Sequence, residues 1–330
     1  MAVNLLEPIA SVVIVSFNTR DLLRECLTAL AEESRGLNTE VLVVDNVSKD
    51  GSADMVAAEF PYVKLIRSDV NLGFAAANNR AFAQAVGRYV VLLNSDAFLQ
   101  CGALHRAIRH MEHEPEVGIG GAKLVGRDGS WQPSARLFPS LLNDFLTLSG
   151  LSARYPRSRF FGRFDRTWAN PAEACDVDWV PGAFSIVRRD ALEKVGYFDE
   201  DFFLYYEEVD LCRRFKKRGY KVRYWPDVTV VHYGGESSKT VTALKFSRSG
   251  SQLALWRMRS AFLYYRKHHG VEAWLSKEME KIWHRIRAWK NRRPDGADEV
   301  KAEDSKTIQV LLDQAWRETS GGRVSPARPW

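Results

Sequence analysis

The sequence predicts an α/β fold, a doubly wound sheet followed by a helical extension, on three observations. Short apolar runs rich in β-branched residues recur along the N-terminal part of the chain, as strands buried on both faces of a parallel sheet require. Between them lie stretches whose apolar residues fall at helical spacing. The runs also end on polar residues, and in open α/β sheets ligands bind outside the carboxyl ends of the strands. The clearest case is Arg88–Asp96 (Arg-Tyr-Val-Val-Leu-Leu-Asn-Ser-Asp), where five consecutive apolar residues run straight into Asn94, Ser95 and Asp96.

The first strand is Ser11–Ser16, closed by Phe17-Asn18-Thr19-Arg20, and Leu22, Leu23, Cys26, Leu27 and Leu30 then trace a helix. Glu40–Asp45 is the second strand and ends on a carboxylate. The turn-rich segment Asn46–Ser52 follows, with Ser52 placed to cap a helix. Val63–Arg67 is the third strand. Asn71–Asn79 leads into a helix through Phe82, Ala83 and Val86 that stops at Gly87, and the run from Tyr89 is the fourth strand. The strand ends gather Ser16 with Asn18, Asp45 with Asn46, Asn71 with Gly73, and Asn94 with Asp96. Acidic and amide groups at one sheet edge suit a nucleotide: Asp45 can accept from the N3–H of uracil or thymine, and amides can bond ribose hydroxyls. Asp96 can hold a divalent cation that is otherwise bound mainly by substrate phosphates. Taken singly, each of these is equally an ordinary turn residue. No GxGxxG follows the first strand and no GxxxxGK[ST] occurs, which argues against a dehydrogenase-type dinucleotide fold and a P-loop NTPase.

At 330 residues and 45% hydrophobic content, the chain can bury one large core or two modest ones. No run of 18 apolar residues exists and the N-terminus lacks the pattern of a signal peptide. Cys26, Cys101, Cys175 and Cys212 are scattered without a CxxC, so neither a zinc site nor a disulfide framework is expected, as in a reducing cytoplasm.

Val12–Asn18 (Val-Val-Ile-Val-Ser-Phe-Asn), Val43–Ser52 (Val-Val-Asp-Asn-Val-Ser-Lys-Asp-Gly-Ser), Asn71–Asn79 (Asn-Leu-Gly-Phe-Ala-Ala-Ala-Asn-Asn) and Leu92–Asp96 together resemble the signatures of family 2 glycosyltransferases. Within that family they are most similar to the bacterial rhamnosyltransferase-like branch, over about residues 10 to 240. The resemblance implies a GT-A fold, a doubly wound mixed sheet, with a nucleotide-diphosphate sugar donor such as dTDP-rhamnose. It implies a divalent metal, Mn2+ or Mg2+, and inverting transfer to an acceptor hydroxyl. Donor contacts then fall to Ser16, Asn18, Asp45, Asn46, Asn71, Gly73, Asn78 and Asn94. The family's metal motif is often Asp-x-Asp; here Asn94 takes the first position, which leaves Asp96 as the only carboxylate of the triplet.

Gly102–His113 is a further helix and Val117–Val125 a glycine-broken strand. From Leu137 to Cys175 aromatics, arginines and prolines replace any periodicity. That is too long for a simple loop, and it is expected to be partly helical and partly mobile, near the acceptor or as a membrane-proximal flap. In Asp176–Val187, Trp179 and Gly182 resemble the family's aromatic residue and tight turn beside the sugar, while Trp179 equally suits core packing. Asp201–Arg214 sets Glu207, Glu208 and Asp210 at a helix start, where carboxylates also serve the helix dipole. The family motif there is Glu-Asp-x-Asp with a general base at its second position. That position is Glu208, with Asp210 the other candidate and Glu207 beside the substrate. After a strand at Tyr220–Tyr224, His232 ends an apolar run. It is either a core histidine or, by the family pattern, a metal ligand, with Gly234 and Gly235 letting the loop approach phosphate.

Beyond residue 240 the resemblance fades. Leu253–Arg293 predicts two helices broken at His268-His-Gly270. The segment carries eleven Lys and Arg against three Asp and Glu, a net of +8, among Trp256, Phe262, Leu263, Tyr264, Tyr265, Trp274, Trp283 and Trp289. Basic helices with aromatics suit an anionic membrane surface; helices docked on the catalytic domain, or an oligomer interface, are the alternatives. Nucleic acid is not expected, since no recognition motif accompanies the charge. Residues 294–305 look like a polar linker, 306–318 a short helix and 320–330 a frayed tail. The expected layout is a catalytic domain over 1–240 (a nucleotide half over 1–125, an acceptor half over 126–240), a basic helical extension over 241–293, and the terminal segment over 294–330. The expected function is transfer of rhamnose from dTDP-rhamnose to a glycan or lipid-linked glycan, from the cytoplasmic face of the cell membrane. A nucleotide-sugar pyrophosphorylase competes, but it would want a Gly-rich loop after the first strand, and Ser16–Arg20 contains no glycine. A non-catalytic membrane-associated binding module is the other alternative.

Overall fold

A computed structural model describes residues 7–234, 250–291 and 298–328. The N-terminal half alternates as the apolar runs dictate: β1 (Ala10–Ser16), α1 (Arg20–Glu33), β2 (Thr39–Asp45), α2 (Ser52–Glu59), β3 (Lys64–Arg67), α3 (Gly73–Phe82) and β4 (Tyr89–Asn94). Then come β5 (Ala97–Leu99), α4 (Ala103–His113), β6 (Val117–Val125), β7 (Trp131–Gln132), α5 (Leu141–Leu148) and α6 (Leu151–Arg154). Next come β8 (Cys175–Asp176), β9 (Phe184–Arg188), α7 (Arg189–Val195), α8 (Glu207–Lys217) and β10 (Lys221–His232). Among the described residues the helices beyond β10 are α9 (Gly250–His269), α10 (Glu272–Asn291) and α11 (Glu299–Glu318).

The ten strands among the described residues join one sheet whose main path runs β3-β2-β1-β4-β9-β6-β10-β5. The first four strands are parallel, β9 runs antiparallel between β4 and β6, and β10 lies parallel to β6. The expected mixed sheet is therefore what forms. Side-chain alternation along β1 divides the core: Val12 and Ile14 pack with α1, α2 and α4, whereas Val13 packs with α3, α7 and α8. The antiparallel β9 matters for function. It brings the turn before Phe184 to the carboxyl end of β4, where the Asn94 N–H donates to the Ala183 carbonyl over 3.1 Å.

Several sequence expectations are corrected. The helix after Asn71 ends at Phe82 rather than reaching Gly87. The strand expected at 220–224 runs on through His232 as β10, irregular in register between Trp225 and Thr229 around Pro226, where proline has no N–H to offer the ladder. The expected linker at 294–305 is helical from Glu299, because the Asp298 side chain caps it by accepting from the Lys301 N–H. The tail does not fray as far as residue 328. Arg266 Nε donates to the Gly321 carbonyl at 2.9 Å, and Ser325 Oγ donates to the Asp201 carbonyl at 2.8 Å.

The C-terminal helices also resolve the earlier alternatives residue by residue. On α9, Trp256, Phe262, Leu263, Tyr264 and Tyr265 are buried, so these aromatics are core rather than interfacial. Tyr264 and Tyr265 are fully covered in the same core as α8, and each such burial stabilises by about 1.5–3 kcal/mol. Tyr265 also donates to Asp144 of α5 at 2.6 Å, and Ser260 donates to the Leu204 carbonyl at 2.7 Å. Trp274 and Trp289 of α10, in contrast, are exposed. Among the described residues no helix is long and apolar enough to cross a membrane.

Candidate active site

The carboxyl edge of the sheet carries the site, and topology orders it: Asp45 on β2, Ser16 on β1, Asn94 to Asp96 after β4, then Gly182 ahead of β9. On the β2 side, Asp45 is buried; its Oδ2 accepts from the Ser48 N–H at 3.1 Å, while Oδ1 has no hydrogen-bond partner. An orphaned buried acceptor is costly, and an N–H of a bound base would relieve it. Ser16, Thr19 and Ser95 form a hydroxyl chain at 3.1 and 2.9 Å. Asn18 sits at φ 53° and Val47 at φ 62°. A β-branched residue rarely adopts that region, and such backbone strain clusters at functional sites.

The other predicted amides serve the wall itself. Asn46 donates to Asn71 Oδ1 at 2.8 Å and accepts from the Leu72 N–H at 2.8 Å. Asn71 Oδ1 also accepts from the Gly73 N–H at 2.9 Å, and Asn78 donates to the Phe74 carbonyl at 2.8 Å. Asn18 Oδ1 accepts from the Lys49 N–H at 2.7 Å, tying the first two strand-end loops together. Gly73 (φ 78°) is required by a close approach: a Cβ there would lie 2.3 Å from the Phe203 carbonyl oxygen. That carbonyl accepts from the Phe74 N–H at 2.8 Å, which locks the Asn71–Gly73 loop to the segment leading into α8.

At the centre, β5 pairs antiparallel with β10 and sets Ala97 opposite His232. His232 Nε2 thereby comes within 3.5 Å of Asp96 Oδ1 and of the Asn94 amide nitrogen. Its other side is held by Gln132, whose Nε2 donates to the His232 carbonyl at 2.9 Å and whose Oε1 lies 3.1 Å from His232 Nδ1. With the amide so oriented, Oε1 can only accept, so Nδ1 carries a proton, and in the neutral ring Nε2 presents its lone pair towards Asp96. A carboxylate oxygen and an imidazole lone pair converging on one point fit a divalent cation. Among the described residues no group of three or more His, Cys, Asp and Glu side chains could hold a metal ion. The pair therefore suits an ion whose remaining ligands come from substrate phosphates and water.

Glu207 and Glu208 open α8 after Tyr205 and Tyr206, both in the left-handed region at φ 70° and 71°. Both carboxyls keep Oε2 buried without a partner. Burial, then the neighbouring Glu208 charge, pushes the Glu207 carboxyl well above its ordinary range. Burial also raises Glu208, opposed by backbone N–H groups, including that of Gly182, and by the Arg136 charge. Gly182 thus orients Glu208 beside the end of β4.

Asp210 points elsewhere. Its carboxylate is fully buried and meets Arg214 Nε at 2.7 Å, His268 Nε2 at 2.7 Å and Lys267 Nζ at 2.8 Å. Burial alone would raise its proton affinity, but the His268 hydrogen bond and the Arg214 and Lys267 charges outweigh it and hold the carboxyl well below the usual range. His268 is kept neutral by its own burial and donates from Nε2. Trp179 proves to be core: it is buried and its Nε1 donates to the Leu137 carbonyl at 2.7 Å. Gln132, Arg136 and Lys267 carry no signal in the sequence that marks them for the site. His268 stands out only as part of the doubled histidine at the helix break, and nothing local to it points to a partner on α8. Gly235 lies outside the described residues.

Residues 11–196 match the family model described as glycosyl transferase family 2. The chain is 32% identical over 209 residues to an N-acetylglucosaminyl-diphospho-decaprenol L-rhamnosyltransferase of Mycobacterium tuberculosis, covering 60% of this chain and 67% of that protein. It is 24% identical over 267 residues to the rhamnosyltransferase WbbL of Escherichia coli (77% and 91% covered). To the dTDP-rhamnosyl transferase RfbF of Shigella flexneri it is 24% identical over 261 residues (78% and 80%). Among solved structures, a Pyrobaculum calidifontis mannosyltransferase in complex with GDP-Man and Mn2+ superposes with a TM-score of 0.55 at 18% identity, covering 97% of this chain and 89% of that one. At that identity the likeness speaks for the fold.

Proposed function

The chain belongs to glycosyl transferase family 2, and from that premise we propose that it transfers rhamnose from dTDP-rhamnose, with inversion, to a hydroxyl of a glycan or lipid-linked glycan. The observation that carries this is the order of groups along one sheet edge: Asp45 with Oδ1 unpartnered, the Asp96–His232 corner, and Glu208 with Oε2 unpartnered. Asp45 would take the N3–H of the thymine base. Asp96 and His232 would hold Mn2+ or Mg2+, which supplies positive charge to the diphosphate leaving group. Glu208, raised by burial, would accept the proton of the acceptor hydroxyl as it attacks the anomeric carbon. The relatives named for rhamnosyl transfer support the donor.

A lipid-linked acceptor would bring the protein to the membrane surface, as a peripheral protein on its inner face. Support comes from α10. Trp274, Leu275, Ile282, Ile286 and Trp289 are exposed and fall within about a third of the helix circumference at 100° per residue. Exposed Arg285 lies within that arc and exposed Lys290 borders it, a pattern that suits anionic lipid.

Incubating the protein with a panel of nucleotide sugars, Mn2+ or Mg2+ and lipid-linked acceptors tests the reaction. Release of dTDP from dTDP-rhamnose, dependent on acceptor, is expected. Turnover of another donor in its place would replace the proposed substrate, and consumption of added pyrophosphate with formation of dTTP and sugar 1-phosphate, in a parallel incubation, would replace the reaction class.

A further inference from the structure

Away from the active site, the aperiodic tract after α6 builds a cavity of about 350 Å³ lined by Arg157, Arg159, Arg166, Trp168, Asn170 and Glu173, among others. None of the residues discussed above as catalytic or donor-binding lines it. The cavity is assembled by the tract's own bonds. Thr167 Oγ1 donates to the Pro156 carbonyl at 2.7 Å, the Thr167 N–H donates to the Gly162 carbonyl at 3.1 Å, and the Gly162 N–H donates to the Ser158 carbonyl at 2.8 Å. A Cβ on Gly162 would sit 2.4 Å from Thr167 Oγ1 and 2.6 Å from the Pro156 oxygen, so the loop closes only because that residue is glycine. Closure carries Arg157 and Arg159 round to face Arg166 and Trp168. The whole is fixed to the catalytic domain by the Arg136–Asp165 ion pair at 3.0 Å and by Tyr224 donating to the Pro171 carbonyl at 2.7 Å.

Three guanidiniums converge here without matching carboxylates. Among the described residues none forms an ion pair with Arg157, Arg159 or Arg166. Glu173, whose Oε1 accepts from the Asn170 amide at 3.0 Å, is the lining carboxylate and balances only one of the three charges. Arg159 and Arg166 both lie over the Trp168 ring, 4.8 and 5.4 Å from its centroid, a stacking that orients guanidiniums while leaving their N–H forks free to bind. Arg166 Nε is buried with no hydrogen-bond partner, and its backbone sits at φ 51°. Like charges held together on a preformed loop, with a buried donor unmet, call for an anion. Guanidinium forks match phosphate oxygens two at a time, and three of them suit a group carrying more than one negative charge.

We propose that this cavity is a phosphate-binding site, filled by the phosphate of an anionic lipid headgroup or of a soluble phosphate ester. Exposed Tyr155 and Phe160 flank the arginines, as side chains at a membrane interface would. The lipid source rests on the membrane reading above; the phosphate chemistry does not.

Two probes of the full-length, metal-free protein test it: inorganic pyrophosphate by calorimetry, and phosphatidylglycerol against phosphatidylcholine vesicles by co-sedimentation. The double variant Arg157→Ala/Arg159→Ala should weaken pyrophosphate binding by about tenfold or more, the loss of charge-assisted hydrogen bonds. Its melting temperature and its release of nucleotide with a short soluble acceptor should stay as in the parent. Arg166→Lys, which keeps the charge but not the fork, should weaken it too. If phosphatidylglycerol binding falls in parallel, the ligand is a headgroup; if only pyrophosphate binding falls, the ligand is soluble. Equal pyrophosphate affinity in parent and double variant overturns the site, even if vesicle binding drops, since diffuse surface charge then explains the vesicles.

Discussion

Gln132 grips His232 at both ends of its amide, donating to the backbone carbonyl at 2.9 Å and facing ring Nδ1 from 3.1 Å. The first bond orients the amide and the second therefore selects the imidazole tautomer, so a residue on the two-residue strand β7 decides which nitrogen faces Asp96. Gln132→Leu should loosen this choice. Partners of this kind typically account for 10–100-fold in metal affinity, so Mn2+ binding in the presence of dTDP should weaken by about that factor. Binding of dTDP alone, without metal, should be little changed. Unaltered Mn2+ affinity would show that His232 does not ligate the ion.

Glu208 and Glu207 differ in what their loss should do. Glu208→Gln keeps the shape but cannot accept a proton, so kcat should fall roughly 10²–10⁴-fold with donor affinity retained. Because burial raises the Glu208 carboxyl, the acid limb of the parent's kcat profile should lie above the ordinary glutamate range.

For Glu207 the readout is stability. Folding raises its proton affinity, so the folded state holds a proton that the unfolded chain releases, and stability falls as pH rises from the unfolded value towards the folded one. Glu207→Gln removes that dependence. Its melting temperature should exceed the parent's at pH 8, by about 2–4 °C for each kcal/mol relieved, and the gap should close near pH 4. A gap that widens on acidification would reverse the assignment.

Asp210 carries the opposite sign. Folding depresses its proton affinity, so its contribution is complete above about pH 4, the unfolded carboxylate range, and is lost as pH falls towards the folded value. Asp210→Asn leaves Arg214, Lys267 and His268 facing an uncharged group, and breaking one side of a buried ionic cluster costs about 3–5 kcal/mol. Urea melts at pH 7 should show that loss, shrinking below pH 4, whereas the folded fraction should retain donor binding. A stable variant with a large loss in kcat would instead make Asp210 the proton acceptor.

These contrasts mark what local pattern can carry. β1, β2 and β4 were legible because strands buried on both faces must be continuously apolar, and their polar ends mark the sheet edge that carries Asp45, Asn94 and Asp96. β5 and β7 have three and two residues, too few for a period, yet they place Ala97 and Gln132 against His232. Asp210 could not be separated from Glu208 by spacing, because its partners His268 and Lys267 lie on α9, beyond the whole of β10. The aromatics of α9 and α10 look alike in composition. Only the packing of α9 against α8 divides the buried ones from the exposed ones. The arginine tract has no periodicity since its shape depends on Gly162 and Thr167 rather than on a repeating apolar face.

That division makes the membrane proposal specific to one helix. Tyr264 and Tyr265 of α9 are fully buried, so substitutions there would report on folding and say nothing about lipid. On α10 the exposed residues share one face, and Phe145 of α5 packs edge-on against Trp283 beside it with ring centroids 6.5 Å apart. Tyr265 joins α9 to the same α5, so the face sits on helices that adjoin the segment bearing Glu208. Ile282→Asp/Ile286→Asp places two charges on it without touching the core. Each basic residue near an anionic bilayer contributes about 1 kcal/mol, and burial of each isoleucine about 1.5–3 kcal/mol. The double variant should therefore lose most co-sedimentation with phosphatidylglycerol vesicles while keeping its melting temperature. Transfer to a short soluble acceptor should persist and transfer to a lipid-linked acceptor should fall. Raising salt should weaken the parent's binding, since the electrostatic share is screened over about 10 Å at 0.1 M. Vesicle binding that ignores both salt and the α10 substitutions would move the membrane contact to another surface. Loss of soluble-acceptor transfer in the variant would show that α10 shapes the acceptor site instead.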